Sequence, residues 1–329
     1  MRVMAMIAAA LVAGTAQAAP EYKVIDRIAG PDGGWDFIRV DPQSARVYVA
    51  HGGSVLAVDL KSRAVAPGLA PGARLHDAMP VGGGRELLVT YGGSDSAGFV
   101  DAMTGATIAT VATGKGPDAA VFDAHSGLVA VMNHGGGDIT LIDPVQRVAV
   151  GSIAVGGALE VAAVDGKGRL FVNIEDANAV AVVDTAARKV VARYKLPGCD
   201  EPTGLAYDPR DALLIAACDG ATVILRADDG KVVATLATGK GADGAAFDAT
   251  KRLAFIPSGR DGKLSVIAVD GAKSRIIQSL DTQVSARTIA LDPDSGRIYL
   301  PAANYGAAPA GGGRPPQVPG SFNVLVVGE

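Results

Sequence analysis

Several motifs that identify enzyme classes are absent from the sequence. It has no HExxH metalloprotease motif, no GxSxG nucleophile elbow, no phosphate-binding P-loop and no dinucleotide-binding glycine fingerprint after a strand. The formal net charge is −4 and no basic run is present, so nucleic-acid binding is not expected. With these classes excluded, the overall organisation of the chain is its most informative feature.

Aromatic residues are also scarce, at 5% of the chain, and only 19% of residues are charged. Small residues dominate instead, and 43 glycines are spread through the chain as turn residues. Between residues 115 and 156, no apolar stripe with helical spacing lasts two turns. Such a composition is typical of thin sheets that stack closely on one another.

A unit of four short strands recurs along the chain. Residues 115–156 contain the runs DAAVFD, LVAVMN, DITLID and RVAVGSIAV, each bounded by turn residues. Equivalent first strands begin at residues 35, 76, 117, 159, 202, 242 and 286, so the period is 40–44 residues. Seven such units predict an all-β fold, a seven-bladed β-propeller with four antiparallel strands in each blade.

One strand lies before the first unit, and the seventh unit is one strand short. The early strand is EYKVIDRIA, residues 21–29. We predict that it completes the last blade as the outer strand, because this pairing removes an open sheet edge. Residues 19–329 would then form a single propeller domain.

Residues 1–18 have the features of a cleaved export signal. Arg2 is followed by an apolar stretch and by the small-residue cleavage site Ala16-Gln17-Ala18. The apolar stretch is too short to span a bilayer stably. We therefore expect a periplasmic or secreted monomer without a membrane span.

The second and third strands of several units resemble those of the YVTN-repeat propellers, the YncE-like family. Residues 47–60, 129–143 and 170–184 are similar to the pattern YVTN-x-G-x-x-x-VSVID, with Asn133 and Asn173 at the family's Asn position. Residues 198–208 and 318–328 resemble a secreted bacterial subgroup. The resemblance covers the mature chain and implies the seven-bladed fold, but it implies no set of catalytic residues.

The two ends of the propeller differ in their predicted turns. We call one end the bottom face. It is formed by the connections from first to second strands and from third to fourth strands, and it contains ordinary turn residues such as DPQSAR and DPDSGR. The opposite end, the top face, is more varied. Its longest connection is Tyr305–Ser321, which we interpret either as a lid over the channel mouth or as a tolerated insertion.

Histidines and carboxylates are predicted to meet on the top face. His51, His76 and His134 map there, whereas His125 maps to a bottom turn. Five units have an acidic residue at the second position of the first strand: Asp36, Asp77, Asp118, Glu160 and Asp243. The three histidines and the carboxylates near them could bind Zn, Cu or Fe, or act as an acid–base pair. Glu160 and Asp243, together with Asn133 and Asn173, could instead form an oxygen-rich Ca site. The alternative is that the repeated carboxylates cap backbone N–H groups between blades.

Three further residues are predicted at the channel mouth. Arg287 replaces the carboxylate in the seventh unit and could bind a substrate carboxylate or form an ion pair between blades. Trp35, the only tryptophan, and Tyr305 could stack on a ligand or pack between blades.

The two cysteines, Cys199 and Cys218, lie at the top ends of neighbouring strands in the fifth unit. In an exported chain this placement favours a disulfide. A redox or metal-binding thiol pair is the alternative, although CxxC spacing is absent.

The sequence therefore predicts an exported binding protein that uses the mouth of the channel for a small molecule or a periplasmic protein. A metal-dependent enzyme, either a lactonase-like hydrolase or a lyase, is the first alternative. An interaction scaffold is the second. Whether the protein is an enzyme stays open, as does the identity of any metal cofactor.

Overall fold

The structure is a computed structural model that describes residues 20–309 and 311–329; the predicted export signal therefore lies outside the described residues. The described strands form seven antiparallel sheets of four strands. The innermost strand of each sheet contacts the innermost strands of its two neighbours, so the sheets close into a ring. The predicted seven-bladed β-propeller is confirmed.

The strands of the first four blades follow one another in chain order. Blade one contains β2 to β5, at Trp35–Asp41, Arg46–His51, Ser54–Asp59 and Val65–Leu69. Blade two contains β6 to β9, at Leu75–Val81, Glu86–Tyr91, Ser96–Asp101 and Thr107–Ala112. Blade three contains β10 to β13, at Pro117–Asp123, Leu128–Asn133, Asp138–Asp143 and Val148–Ala154. Blade four contains β14 to β17, at Leu159–Val164, Arg169–Ile174, Ala179–Asp184 and Lys189–Lys195.

The last three blades have shorter inner strands. Blade five contains β18 to β21, at Gly204–Asp208, Leu213–Cys218, Ala221–Arg226 and Val232–Ala237. Blade six contains β22 to β25, at Ala246–Asp248, Leu253–Ser258, Lys263–Ala268 and Arg275–Asp281. Blade seven contains β26 to β28, at Ala290–Leu291, Ile298–Ala302 and Asn323–Gly328, together with β1 at Lys23–Ala29. Two single-turn 3₁₀ helices lie at Glu175–Ala177 and Gly271–Lys273.

Strand β1 closes the ring as predicted. It pairs antiparallel with β28 from Lys23 to Ala29 and is the outer strand of blade seven. This pairing covers the edge that β28 would otherwise expose. It also joins the beginning and the end of the described chain in one sheet.

The core is divided among the contacts between neighbouring blades. Seven clusters of buried apolar side chains each join two successive blades, including blades seven and one. Second and third strands are buried on both faces, as in Val47–Ala50 and Val55–Val58, and so appear as nearly continuous apolar runs. Outer strands such as β17 alternate between exposed and half-buried residues. The hydrophobic effect therefore holds the blades together side by side.

Aspartates organise the bottom turns. Asp123 and Asp208 are the last residues of inner strands, and Asp292 directly follows one; each accepts a hydrogen bond from the backbone N–H two residues later at 3.0–3.1 Å. This Asx geometry is ordinary turn chemistry, so the bottom face has the local structure that the sequence predicts.

A disulfide joins Cys199 to Cys218 in blade five, with 5.3 Å between the Cα atoms. Both cysteines are buried. The bond ties the connection that leads into β18 to the top end of β19. Among the residues that the structure describes, no helix has the length and apolar character needed to cross a membrane.

Candidate functional site

Each blade contributes one side chain to a ring at the top of the channel. In blades one to four, the first residue of the inner strand pairs with the last residue of the second strand, as Trp35 does with His51 and Leu75 with Tyr91. The next residue occupies the ring position. In blades five to seven this position lies five residues before Asp208, Asp248 and Asp292, just as Asp36 lies five residues before Asp41. The ring consists of Asp36, His76, Asp118, Glu160, Thr203, Asp243 and Arg287.

This register corrects the sequence alignment in blade two. The alignment places Asp77 beside Asp36 and Asp118, but strand pairing places His76 there. Asp77 is fully buried and pairs with Arg39 at 2.5 and 2.8 Å. It also accepts the backbone N–H of Ala120, so it joins blades one, two and three and lines neither pocket of the mouth.

Two adjoining pockets open at the channel mouth. Their volumes are about 420 and 410 Å³, and both are lined by Asp243 and Arg287. The first pocket lies over blades four to seven, and the second lies mainly over blades one to four and reaches Asp243 and Arg287 of blades six and seven. Together they span the whole ring.

The mouth is strongly acidic. Eight acidic and four basic side chains line the two pockets. The acidic ones are Asp36, Asp95, Asp118, Glu160, Glu175, Glu201, Asp219 and Asp243; the basic ones are Arg74, Lys115, Arg260 and Arg287. If every carboxylate is counted as ionised and every histidine as neutral, this lining has a formal charge of −4, and an acidic lining favours cations in a concave, partly enclosed site.

His76 lies between two carboxylates of the ring. Its Nδ1 atom is 2.6 Å from Oδ2 of Asp36 and 3.3 Å from Oδ1 of Asp118. The three residues come from blades one, two and three, and their donor atoms lie within 4.8 Å of one another. Gly92 leaves space for the imidazole, since a Cβ atom there would lie 2.7 Å from Nε2 of His76.

His134 forms a second cluster with Glu160 and the same Asp118. Its Nδ1 atom is 2.9 Å from Oε1 of Glu160, which is an ion-pair contact without the alignment of a hydrogen bond. The adjacent Glu160 carboxylate raises the pKa of His134. Burial raises the pKa of Glu160, while His134 opposes that shift.

Asp118 is the member that the two clusters share. Its side chain is 14% exposed, and its buried Oδ1 atom accepts no hydrogen bond. Burial, followed by the nearby charges of Asp36 and Glu160, raises the pKa of Asp118 well above its usual value. The ring therefore holds its carboxylates under mutual repulsion, which a bound cation would relieve.

Arg287 counters part of this charge on the opposite side of the ring. It donates a hydrogen bond to Asp243 at 2.8 Å and another to the carbonyl oxygen of Trp35 at 2.6 Å. Its guanidinium lies over the Trp35 ring, 5.6 Å from the centroid. Arg287 thus forms the ion pair between blades that was the alternative to substrate binding.

Trp35 and His51 belong to the packed layer beneath the mouth. Trp35 is 6% exposed and its ring centroid lies 5.4 Å from that of Phe322. His51 is 5% exposed, 4.4 Å from the same ring, and burial lowers its pKa. His51 joins neither carboxylate cluster, so the three histidines do not form one ligand set among the described residues.

Tyr305 lines the first pocket and is 43% exposed. It pairs with Gln317 through an isolated bridge, and the Gln317 side chain accepts the backbone N–H of Gly33 at 3.0 Å. Asp32 accepts the backbone N–H of Gly320 at 2.6 Å. The described part of the Tyr305–Ser321 connection is thus anchored to the segment that precedes β2.

The remaining candidates have structural partners or lie elsewhere. Asn133 donates to Asp138 and Thr140, and Asn173 donates to the carbonyl oxygen of Gly204. His125 is exposed in the bottom turn after β10. Arg74, Asp95 and Lys115 line the second pocket and were not predicted from the sequence. All three residues lie in connections on the top face, and this position could have been used to predict them.

Comparison with known proteins places the chain by fold alone. No protein-family model and no curated protein sequence matches it. A chain in the crystal structure of the mitotic checkpoint complex is similar over 99% of this chain and 98% of its own, with 14% identity and a TM-score of 0.76. A chain of Kuenenia stuttgartiensis hydrazine synthase is similar over 83% and 94%, with 18% identity and a TM-score of 0.72. At such identities the likeness shows the propeller fold and no shared function.

Proposed function

We propose that this protein is an exported binding protein that captures a small, positively charged ligand at the channel mouth. The observation that carries the proposal is the acidic lining of the two adjoining pockets, eight acidic against four basic side chains. A concave site of this charge raises the local concentration of cations. The pocket volumes, about 420 and 410 Å³, suit a small molecule better than a folded protein domain.

The exported location has two supports. One is the predicted cleaved signal at residues 1–18, and the other is the Cys199–Cys218 disulfide, since disulfides persist in oxidising compartments. The resemblance of the blade strands to YVTN repeats makes membership of the YncE-like family part of this proposal.

The proposal is tested by thermal unfolding of the mature protein in the presence of single small molecules. The amines putrescine, spermidine, lysine and choline are compared with the anions succinate and phosphate. We expect at least one amine to raise the unfolding temperature, and Glu175→Gln to weaken that effect because Glu175 lines the first pocket. Asp294→Asn, in the exposed bottom turn of blade seven, is the matched control.

Stabilisation by the anions alone would contradict the proposal. So would an amine effect that Asp294→Asn reduces and Glu175→Gln does not. Stoichiometric recovery of one protein from a periplasmic extract, with no response to any small cation, would favour the interaction scaffold instead.

A hydrolase or lyase is the second candidate, favoured by one specific observation. The buried carboxyl of Asp118, whose pKa is raised, lies 3.3 Å from Nδ1 of His76. A carboxyl group with a raised pKa beside an imidazole is an arrangement suited to general acid–base catalysis. The test is an assay of lactone hydrolysis that measures the acid released. Activity that is present in the parent protein and lost in Asp118→Asn supports the enzyme. Absence of activity in the parent protein rules out the lactonase.

A further inference from the structure

We propose that the channel mouth holds two divalent transition-metal sites that share Asp118. The first site consists of Asp36, His76 and Asp118, and the second consists of Asp118, His134 and Glu160. This inference deepens the proposed function, because it rests on the channel mouth as the binding site and specifies the class of cation.

The donor atoms favour first-row transition ions over Ca²⁺ and Mg²⁺. Each site offers one imidazole nitrogen and two carboxylate oxygens. Imidazole suits Zn²⁺, Cu²⁺, Fe²⁺ and Ni²⁺, whereas Ca²⁺ and Mg²⁺ prefer oxygen ligands alone. Three protein ligands leave a coordination position open towards the pocket, which is the pattern of sites that bind water or a further ligand.

The distances require only small movements. Around a tetrahedral ion with ligand bonds near 2.0–2.2 Å, donor atoms lie roughly 3.4 Å apart. In each cluster the donors lie within 4.8 Å of one another, and His76 is already 2.6 and 3.3 Å from its two carboxylates. In the first site the ion would take the place of the proton between His76 and Asp36.

Two buried atoms that make no aligned hydrogen bond give further support. Oδ1 of Asp118 and Nδ1 of His134 are both buried, and their nearest ionisable neighbours, His76 Nδ1 at 3.3 Å and Glu160 Oε1 at 2.9 Å, are not aligned for a hydrogen bond. Polar atoms in such positions normally have a partner, because an unmade hydrogen bond costs about 1–3 kcal/mol. Both atoms belong to the proposed ligand sets, so bound ions would supply the missing interactions.

The side chains that would bind the two ions differ in how freely they can move towards them. Asp36, Asp118 and Glu160 are on or at the start of inner strands, whose backbone is fixed by pairing. His134 is in the turn after β11 and its side chain is 41% exposed, so its imidazole has room to rotate towards an ion. The more mobile ligand belongs to the second site alone.

The test is calorimetric titration of chelator-treated mature protein with Zn²⁺, with Co²⁺ as a spectroscopic probe. We expect two ions per chain. Asp118→Asn should weaken both sites by at least tenfold, whereas His76→Gln and His134→Gln should each remove one site and spare the other. His125→Gln, in a bottom turn, is the matched control and should bind two ions. Cooperative unfolding in chelator, at a stability no lower than that of the parent protein, establishes that the variants are folded.

Several outcomes would overturn the inference. These are no binding of Zn²⁺ or Co²⁺, one ion per chain, equal loss in His125→Gln and His134→Gln, or Ca²⁺ binding that Zn²⁺ does not displace. If the metals fail to bind but an amine still stabilises the protein through Glu175, the proposed function survives without this inference. If the metals bind as expected and no amine does, the inference is supported and the amine part of the proposal fails.

Discussion

At the scale of single residues, two adjacent side chains in β6 have opposite roles. His76 faces the channel, where it meets Asp36 and Asp118, while Asp77 is buried between blades against Arg39. Successive residues of a strand point to opposite sides, so a shift of one residue exchanges the two environments. The register of one strand therefore separates a candidate ligand from a structural ion pair.

Asp77→Asn is expected to destabilise the protein by about 3 kcal/mol, because it leaves Arg39 without its partner between blades. Arg39 is partly exposed, at 31% of its side chain, which limits the loss. The measurement is the free energy of unfolding in urea, with Asp294→Asn as the control. A change below about 0.5 kcal/mol, the usual range for surface substitutions, would show that the pair is dispensable.

Asp118→Asn is expected to stabilise the metal-free protein at neutral pH. The raised pKa of Asp118 means that the folded state disfavours its ionised form. Its contribution to stability is therefore complete below the unfolded pKa, about 3.9, and is lost as pH rises through the folded value. The variant's advantage, measured by urea unfolding in chelator, should shrink as pH falls towards 4. An advantage that grows on acidification would contradict this reasoning.

At the scale of strands, the inner strands approach one another closely enough to require glycine. A Cβ atom at Gly204 would lie 2.3 Å from the carbonyl carbon of Gly244 in the neighbouring blade. Gly244 lies two residues before β22, and β18 contacts β22, so small residues here allow the neighbouring inner strands to approach closely. The disulfide in the same blade secures the connection that leads into β18.

Gly204→Ala is expected to cost about 1–3 kcal/mol or more, since backbone must move to admit the methyl group. Gly34→Ala is the matched control, because a Cβ atom there meets nothing within 4 Å. Urea unfolding measures both variants. Equal stability of the two would show that the inner strands are less closely packed than described.

Replacement of both cysteines by serine is expected to lower stability by about 3 kcal/mol, the value for a closed loop of roughly this length. The two cysteines are 19 residues apart in sequence. The measurement is urea unfolding with and without reductant. Reductant should lower the free energy of unfolding of the parent protein and leave that of the double variant unchanged. A parent protein that reductant does not affect, while the double variant is affected, would exclude a structural disulfide.

The sequence predicts regular elements better than it predicts partners across the ring. The strand runs between residues 117 and 154 match β10 to β13 almost residue for residue, because their bounds are set by local turn chemistry. The position of His51 depends on Phe322, which is 271 residues later in the chain and which no local pattern connects to it. In β6, His76 and Asp77 are both polar, so the alternation of apolar and polar residues does not fix the register there.

At the scale of the whole molecule, closure of the ring turns a repeated strand position into a binding site. Side chains from seven blades meet at one opening, although they are up to 251 residues apart, from Asp36 to Arg287. Strand β1 makes this possible by completing blade seven. The fold thus concentrates carboxylates and histidines that are evenly dispersed in the sequence.

The most direct test of the channel mouth as a cation site is anomalous diffraction from crystals of the mature protein grown with Zn²⁺. The account predicts two peaks on either side of Asp118, one about 2.1 Å from Nδ1 of His76 and one about 2.1 Å from Nδ1 of His134. Ordered imidazoles and carboxylates at the mouth, with no anomalous peak among them, would contradict it.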